Sequence, residues 1–263
     1  MTNWKEMPAW QHLQKYRPLL YELVVRDLKV KYRRSFLGYL WSLLNPLLMM
    51  AVMSFVFSYI FRYDIENYPL YLICGQTLWG FFNESTNMAM YSVLQNGSLI
   101  KKVYIPKFIF PMSRVFSSFV TMSFSLGAIL IVMLVTRAPL HWQLLLFPLP
   151  LILLLLFAMG VSMVLSSLSV YFRDVTHLYG VVTLAWMYVT PVFYPVSALP
   201  DEVAWVLKLN PMYYYLDNFR QLVLYGSLPT AKSWCICLLC SGVALAVGLA
   251  VFRKLQRNFI LYL

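Results

Sequence analysis

Few side chains in this sequence of 263 residues have the type and spacing that catalysis or metal binding requires. The ten glycines include no phosphate-binding G-x-x-x-x-G-K-[ST] pattern, and no serine lies in a nucleophile elbow. The histidines show no metal-ligand spacing, and three of the four cysteines lie in an apolar run that lacks a histidine or carboxylate. We therefore predict neither a catalytic centre nor a metal site among His12, His141, His177, Cys74, Cys235, Cys237 and Cys240.

One carboxylate stands inside a long apolar stretch. Glu84 interrupts the otherwise uncharged residues 67–100. A carboxylate at membrane depth is a functional candidate by default, but it can also be a structural group that bonds to Asn83, to Asn87 or to a neighbouring helix. We favour the structural interpretation. A single carboxylate is also thin support for ion-coupled transport, so uphill transport would need energy from another subunit.

The composition predicts a membrane protein. The chain is 61% hydrophobic and 12% charged, about half the charge of a typical soluble domain. The first uncharged run, 36–61, exceeds the roughly 20 residues that a helix needs to cross a bilayer. The net charge of +11 does not favour nucleic acid as a partner, because positive cytoplasmic loops explain it more simply.

Uncharged intervals predict an all-α integral membrane protein with six transmembrane helices. Both termini are then on one side, with a cytoplasmic segment 1–35 and a cytoplasmic tail 253–263. That side carries 16 of the 21 Lys and Arg residues, which makes it the cytoplasmic side. Residues 1–35 are polar and amphipathic, so we expect no cleavable signal peptide. The predicted spans are 36–61, 68–95, 112–136, 144–172, 175–194 and 233–252.

Three connections carry their own signals. From Pro18 onward, apolar residues recur at helical spacing and basic residues fall on another face. This pattern predicts an amphipathic helix at the membrane surface, which either anchors to lipid or docks a cytoplasmic partner. After the second span, Asn96-Gly97 ends a helix and Ser98 can cap a short basic one, although a simple charged connection remains possible. Residues 195–228 are rich in aromatic side chains, which indicates either interfacial anchoring or two short helices that re-enter the outer leaflet.

Four segments together resemble a known family. They are "RDLKVKYRRSFLGYLWSLLNPLL", "NGSLIKKVYIPKFIFP", "YFRDVTHLYGVVTLAWMYVTPVFYP" and "LNPMYYYLDNFRQLVLYG". The sequence is similar to the membrane subunit of type-2 ABC exporters, in the branch that exports polysaccharides and teichoic acids. The resemblance implies a homodimeric channel in the bacterial cytoplasmic (inner) membrane that moves an undecaprenyl-diphosphate-linked polymer outward.

The resemblance also implies partners and site residues. Two cytoplasmic ABC ATPase subunits would bind ATP and magnesium, so this chain itself would need no cofactor. Its other contacts would be the lipid-linked glycan and membrane lipids. The N-terminal helix and a coupling helix would contact the ATPase through Arg26, Lys29, Arg33, Ser98, Lys101, Lys102, Tyr104 and Lys107. Outer gate helices in 195–228 would use Pro195, Trp205, Asn210, Pro211, Tyr213 and Arg220.

Aromatic rings are the natural contacts for a sliding glycan, which has apolar faces as well as hydroxyl edges. The first and fifth spans are the richest in Tyr and Trp, and the resemblance places both near the dimer axis. The same rings could instead be interfacial anchors. With Glu84 included, the predicted substrate path consists of Tyr39, Trp41, Tyr59, Glu84, Tyr188, Phe193 and Tyr194.

Two other functions stay open. One is an ABC exporter for a small lipid or a drug. The other is a membrane-embedded glycan-polymerising enzyme, which should show clusters of carboxylates and arginines in its loops. The outer loops offer only the dispersed Asp201, Glu202 and Asp217.

Overall fold

The chain is built from helices. The computed structural model describes residues 9–31, 33, 35–60, 65–198 and 200–263, and these residues form eleven α-helices, four short 3-10 helices and no strand. The α-helices are α1 Ala9–Lys31, α2 Trp41–Ile60, α3 Tyr68–Gln95, α4 Gly97–Lys102, α5 Ile109–Val135, α6 Pro148–Tyr171, α7 Val175–Val189, α8 Asp201–Leu209, α9 Pro211–Val223, α10 Ala231–Leu255 and α11 Phe259–Tyr262.

Four helical stretches are long and apolar enough to cross a membrane, which confirms an all-helical membrane protein. Two of the six predicted spans are not among them. Helix α3 has the predicted bounds 68–95, but its polar residues, among them Gln76, Asn83, Glu84 and Asn87, make it less apolar than the four stretches. Helix α7 has 15 residues, about 22 Å, and is shorter than a hydrocarbon core of about 30 Å. The count of six therefore stays a prediction beyond the four stretches Gly38–Phe57, Ile109–Val135, Trp142–Tyr171 and Ala231–Tyr262.

Helix α3 lies at the centre of the bundle and packs against α5, α6, α2 and α9. Its Phe82 ring is fully buried, with its centroid 5.6 Å from that of Phe157 on α6 and 5.2 Å from that of Trp186 on α7. Lipid tails are as apolar as these side chains, so close packing, and not escape from water, stabilises such contacts in a membrane.

Helices α6 and α10 approach each other most closely where both carry glycine. A Cβ atom on Gly160 would overlap the backbone of Ala244, and one on Gly248 would overlap the carbonyl oxygen of Gly160. Nearby, the Ser241 hydroxyl donates a hydrogen bond to the Leu153 carbonyl, 2.7 Å away. Small residues thus let the two backbones meet, as is common between membrane helices.

The two segments predicted to be cytoplasmic have more helical structure, in the part of the chain that the structure describes, than the sequence predicts. Helix α1 starts at Ala9, before Pro18, and it packs on α5 with Leu23 and Asp27 buried. The predicted tail 253–263 is not free, because α10 continues to Leu255 and α11 folds back so that Phe259 is fully buried.

Candidate functional site

A groove of about 700 Å³ runs between α2, α3 and α5 and reaches the segment that follows α7; we call it the central groove. Its wall mixes apolar side chains with hydroxyl and amide groups. Trp41 and Met49 line it and are both nearly half exposed, so the groove opens to the surroundings along α2. Its polar lining residues are Lys31, Ser42, Asn45, Gln76, Thr77, Glu84, Ser118, Thr121 and Ser125.

An ion pair borders the groove where α1 ends. The Lys31 ammonium lies 2.6 Å from the Glu84 carboxylate, and both side chains are about one-third exposed (34% each). The Ser118 hydroxyl lies 3.5 Å from the same carboxylate oxygen. Asn83 and Asn87, the other partners considered for Glu84, bond to each other instead. The neighbouring element that holds Glu84 is therefore α1.

The structure brings together only some of the predicted path residues. Trp41, Glu84 and Phe193 line the central groove. The Tyr39 ring packs 5.9 Å from Phe124, on α5. Tyr188 is 63% exposed on α7.

The last two residues of the predicted path do not add to the groove wall. The Tyr194 hydroxyl donates a hydrogen bond to the Tyr188 carbonyl at 2.7 Å. The Tyr59 side chain lies outside the described part of the chain.

Sequence reasoning missed the polar wall of the groove, although a signal for it exists. Gln76, Gly80 and Glu84 are four residues apart on α3 and share one face. Ser118, Thr121 and Ser125 repeat at similar helical spacing on α5. A search for polar residues at helical period within the apolar runs would have found both faces.

A buried ionic cluster fixes α1 to the bundle. The Asp27 carboxylate, only 3% exposed, lies 3.2 Å from the Arg26 guanidinium and 3.1 Å from the Arg114 guanidinium of α5. Arg114 also donates to the Gln95 side chain at 3.0 Å. Arg26, predicted as an ATPase contact, is thus paired within the chain although its side chain is 44% exposed, and Lys29 and Arg33 are exposed as well.

The predicted coupling helix is present but short. Helix α4 has six residues; it buries Gly97 and Ile100 and exposes Ser98, Lys101 and Lys102. Ser98 does not cap it: Asn96 is the residue at the N-cap, and no side chain there bonds to the helix backbone.

The residues after α4 differ in exposure. Tyr104 is 69% exposed. Lys107 lies beyond the helix, where its ammonium donates to the Gln256 carbonyl at 2.6 Å and lies 5.6 Å from the Phe259 ring centroid. Burial lowers the pKa of Lys107. Lys107 therefore holds the C-terminal helix, while Lys101 and Lys102 face outward.

After α7, residues 191–194 form a non-helical segment that we call the carbonyl segment. The buried Arg220 of α9 donates to the carbonyls of Pro191 (2.6 Å) and Val192 (2.9 Å) and, through two nitrogens, to that of Tyr71 (3.1 and 3.2 Å). Its guanidinium carbon also lies 3.4 Å from the Tyr71 ring centroid. Sequence analysis predicted Arg220 only as an outer cation and gate residue, whereas in the structure its side chain is buried and binds three carbonyls.

Tyrosines of α3 complete the carbonyl segment. The Tyr71 hydroxyl lies 3.2 Å from the Pro191 carbonyl and 2.8 Å from the Tyr194 carbonyl. The Tyr68 hydroxyl donates to the Phe193 carbonyl at 2.8 Å. All four carbonyls therefore accept a side-chain hydrogen bond, which is how non-helical backbone is tolerated inside an apolar bundle.

The other predicted gate residues have separate environments. Asn210 caps α9 by accepting from the Met212 amide, and it also bonds to Trp186 and Thr190 of the α7 end. Pro211 is the first residue of α9. Trp205 of α8 is 59% exposed.

Pro195, Tyr213 and Arg220, the remaining gate residues, line one small pocket beside α9. The two predicted short helices exist as α8 and α9, and their re-entry into the membrane stays a prediction.

Comparison with known proteins gives a consistent match. Residues 5–224 match the model of the ABC-2 type transporter family. The chain is 31% identical to the O-antigen export system permease protein RfbA of Klebsiella pneumoniae, over 92% of this chain and 93% of that protein. A protein of the same name from Myxococcus xanthus is 31% identical over 95% and 96%. The capsule polysaccharide export inner-membrane protein CtrC of Neisseria meningitidis serogroup B is 23% identical over 95% of both chains. A family match over most of the sequence, with relatives that align nearly end to end, shows that this chain belongs to the ABC-2 type transporter family.

Proposed function

We propose that this chain is the membrane subunit of an ATP-driven exporter that moves a lipid-linked polysaccharide outward across the bacterial cytoplasmic membrane. The observation that carries this proposal is the nearly end-to-end similarity to the two O-antigen export permeases, at 31% identity. Those names favour a polysaccharide over a teichoic acid and over a small lipid or drug. An undecaprenyl-diphosphate anchor on the cargo is part of the proposal.

The central groove supports a glycan as cargo. A sugar chain presents hydroxyl edges and apolar ring faces, and the groove offers Gln76, Thr77 and Asn45 beside Trp41 and Phe193. Amides and hydroxyls can exchange hydrogen bonds with sugar hydroxyls, while rings pack on sugar faces without fixing one register. Many weak contacts of this kind suit a polymer that must slide.

A second copy of the chain would complete the channel. The groove opens along α2, whose Leu48, Val52 and Phe55 are each more than half exposed. Helix α7 likewise exposes Leu178 and Val181. We propose that two copies face each other across these surfaces in a homodimer and enclose the path that one copy leaves open.

Two cytoplasmic ATPase subunits would supply the energy. In this proposal the chain spans the membrane six times with both termini in the cytoplasm, and α4 is the coupling helix. The exposed Lys101 and Lys102, with Val103 beside them, offer a basic and apolar surface for the ATPase. ATP and magnesium would be bound by the partner, and this chain would have no ATPase activity of its own.

Deletion of the gene in its host tests the proposed function. We expect surface polysaccharide to disappear and lipid-linked polymer to accumulate at the cytoplasmic face of the membrane, with both effects reversed by the intact gene. A second strain that lacks the proposed partner ATPase should show the same phenotype. Normal surface polysaccharide in the deletion strain would overturn the proposal.

A further inference from the structure

A second cavity lies on the α9 side of the carbonyl segment. This outer pocket has a volume of about 300 Å³ and is lined by Tyr71, Pro191, Pro195, Val196, Ser197, Tyr213, Asp217, Arg220 and Tyr225. The carbonyl segment contributes to both cavities, because Val192 and Phe193 line the central groove while Pro191 lines the outer pocket.

The pocket carries hydrogen-bonding groups that the chain does not use. The side-chain hydroxyls of Ser197, Tyr213 and Tyr225 make no hydrogen bond to any other residue in the described part of the chain. The Asp217 carboxylate accepts one bond, from the Gln221 side-chain amide at 2.6 Å. An ionised carboxylate has about four acceptor positions, so it can accept further donors. The free groups are thus three hydroxyls, which both donate and accept, and a carboxylate, which accepts.

The cation in the pocket is not available to an anion. Arg220 has five N–H groups, and the bonds to the carbonyls of Tyr71, Pro191 and Val192 use four of them. The Tyr71 ring covers one face of its guanidinium. A phosphate would find at most one donor from Arg220 and would meet the negative Asp217 carboxylate. Strong phosphate sites offer a bidentate arginine or other cationic donors, whereas the donors left free in this pocket are neutral hydroxyls.

We propose that the outer pocket binds one uncharged sugar unit of the exported polymer on its way out and excludes phosphate-bearing units. Sugar hydroxyls can donate to Asp217 and exchange hydrogen bonds with Tyr213, Tyr225 and Ser197, and the tyrosine rings provide apolar surface for the sugar face. This inference rests on the proposed function and narrows it, because it selects a neutral glycan over a polyol-phosphate chain.

Ligand binding to the full chain with its ATPase partner, in lipid nanodiscs, tests the inference. Saturation-transfer NMR would be recorded with a panel of neutral sugars (glucose, galactose, mannose, rhamnose and N-acetylglucosamine) and with glycerol 3-phosphate. Tyr213→Phe and Tyr225→Phe remove hydroxyls that hold nothing in the fold, so both variants should fold normally. Tyr262→Phe is the matched control, because the Tyr262 side chain on α11 is 53% exposed and does not line the pocket. Asp217→Asn keeps the shape of the side chain and removes its charge.

We expect at least one neutral sugar to bind, with affinity falling roughly fivefold for each lost tyrosine hydroxyl and unchanged in Tyr262→Phe. Glycerol 3-phosphate should bind only weakly. Asp217→Asn removes the negative charge and should reduce the difference in affinity between glycerol 3-phosphate and the neutral sugars. Binding of glycerol 3-phosphate as tight as that of the sugars, no binding of any sugar, or full sugar binding in the double tyrosine variant would overturn the inference. The amount of surface polysaccharide in the deletion strain distinguishes failure of this inference from failure of the proposed function. If deletion abolishes export but the pocket binds no sugar, the inference is wrong and the proposed function stands.

Discussion

The Arg114 guanidinium lies 3.1 Å from the Asp27 carboxylate and ties the N-terminal helix α1 to α5. The carboxylate is almost completely buried, so the position of α1 depends on a charge pair and not only on an apolar face. A buried pair stabilises little by itself, but removal of one partner leaves an uncompensated charge. Because removal of one partner costs much more than the intact pair contributes, substitution of one partner is a sensitive test of the position of α1.

Asp27→Ala should lower the free energy of unfolding by about 1–3 kcal/mol, because the partly buried Arg114, whose side chain is 15% exposed, loses its carboxylate partner. Thermal unfolding in detergent would measure the loss. Glu22→Ala, on the exposed face of the same helix, should change stability by less than about 0.5 kcal/mol. The double variant Asp27→Leu/Arg114→Leu should recover most of the stability. Equal stability of Asp27→Ala and Glu22→Ala would argue against the contact.

Two glycines of α3 provide a matched pair for the Arg220 clamp. A Cβ atom on Gly75 would collide with the Arg220 guanidinium, whereas one on Gly80 meets no atom within 4 Å. Gly75→Ala should therefore displace the guanidinium from its carbonyls and cost about 1–3 kcal/mol of stability. Gly80→Ala should be neutral or slightly stabilising, since alanine favours the helix. Both would be measured as folded yield and unfolding midpoint, and the same result for the two would contradict the clamp.

The α6 and α10 contact makes a similar prediction. Alanine at Gly160 would meet the backbone of α10, which cannot rotate away as a side chain can. We expect Gly160→Ala to destabilise by about 1–3 kcal/mol and more than Gly75→Ala does. Gly242→Ala, on α10 with no atom within 4 Å of its Cβ, is the control. Unfolding of both variants in detergent is the measurement, and a stable Gly160→Ala would show that the helices are farther apart.

Charge reversal on α4 tests the proposed ATPase contact. Lys101→Glu/Lys102→Glu should reduce recovery of the ATPase with the affinity-purified membrane subunit and uncouple ATP hydrolysis from export. Each exposed ion pair contributes only about 0–1 kcal/mol, so we expect a partial loss that deepens with Val103→Asp. Lys232→Glu, an exposed lysine at the start of α10, is the control. Undiminished recovery in the double reversal would count against α4 as the contact.

The sequence predicts elements better than it predicts their partners. Uncharged intervals and helix-ending residues located α3 and the start of the short helix α4 closely, because both signals lie within or beside the element, although α4 ends at Lys102 and does not reach Lys107. The residues adjacent to Asp27 and Arg220 do not predict that these two side chains are buried. Their partners, Arg114 and Tyr71, are distant in sequence, and a charged side chain without a known partner is expected to be exposed to solvent. Lys107 was assigned to the coupling helix for the same reason, although it bonds to the chain near its C-terminus.

The aromatic residues were ambiguous for a different reason. An interfacial anchor and a path ring require the same types of side chain, so composition cannot separate Tyr188, which is exposed on α7, from Trp41, which lines the groove. Only the neighbouring helices decide which ring faces a cavity.

The carbonyl segment has a consequence for how the protein is made. The ribosome delivers residues 191–194 before α9, so these carbonyls reach the membrane before Arg220 is there to bind Pro191 and Val192. Unbonded carbonyls are costly in hydrocarbon, and we expect the end of α7 to stay near water until α9 has been synthesised. This end of the bundle would then mature only after α9 is made, and a ribosome stalled between the two would leave an unfinished chain that quality-control proteases can recognise.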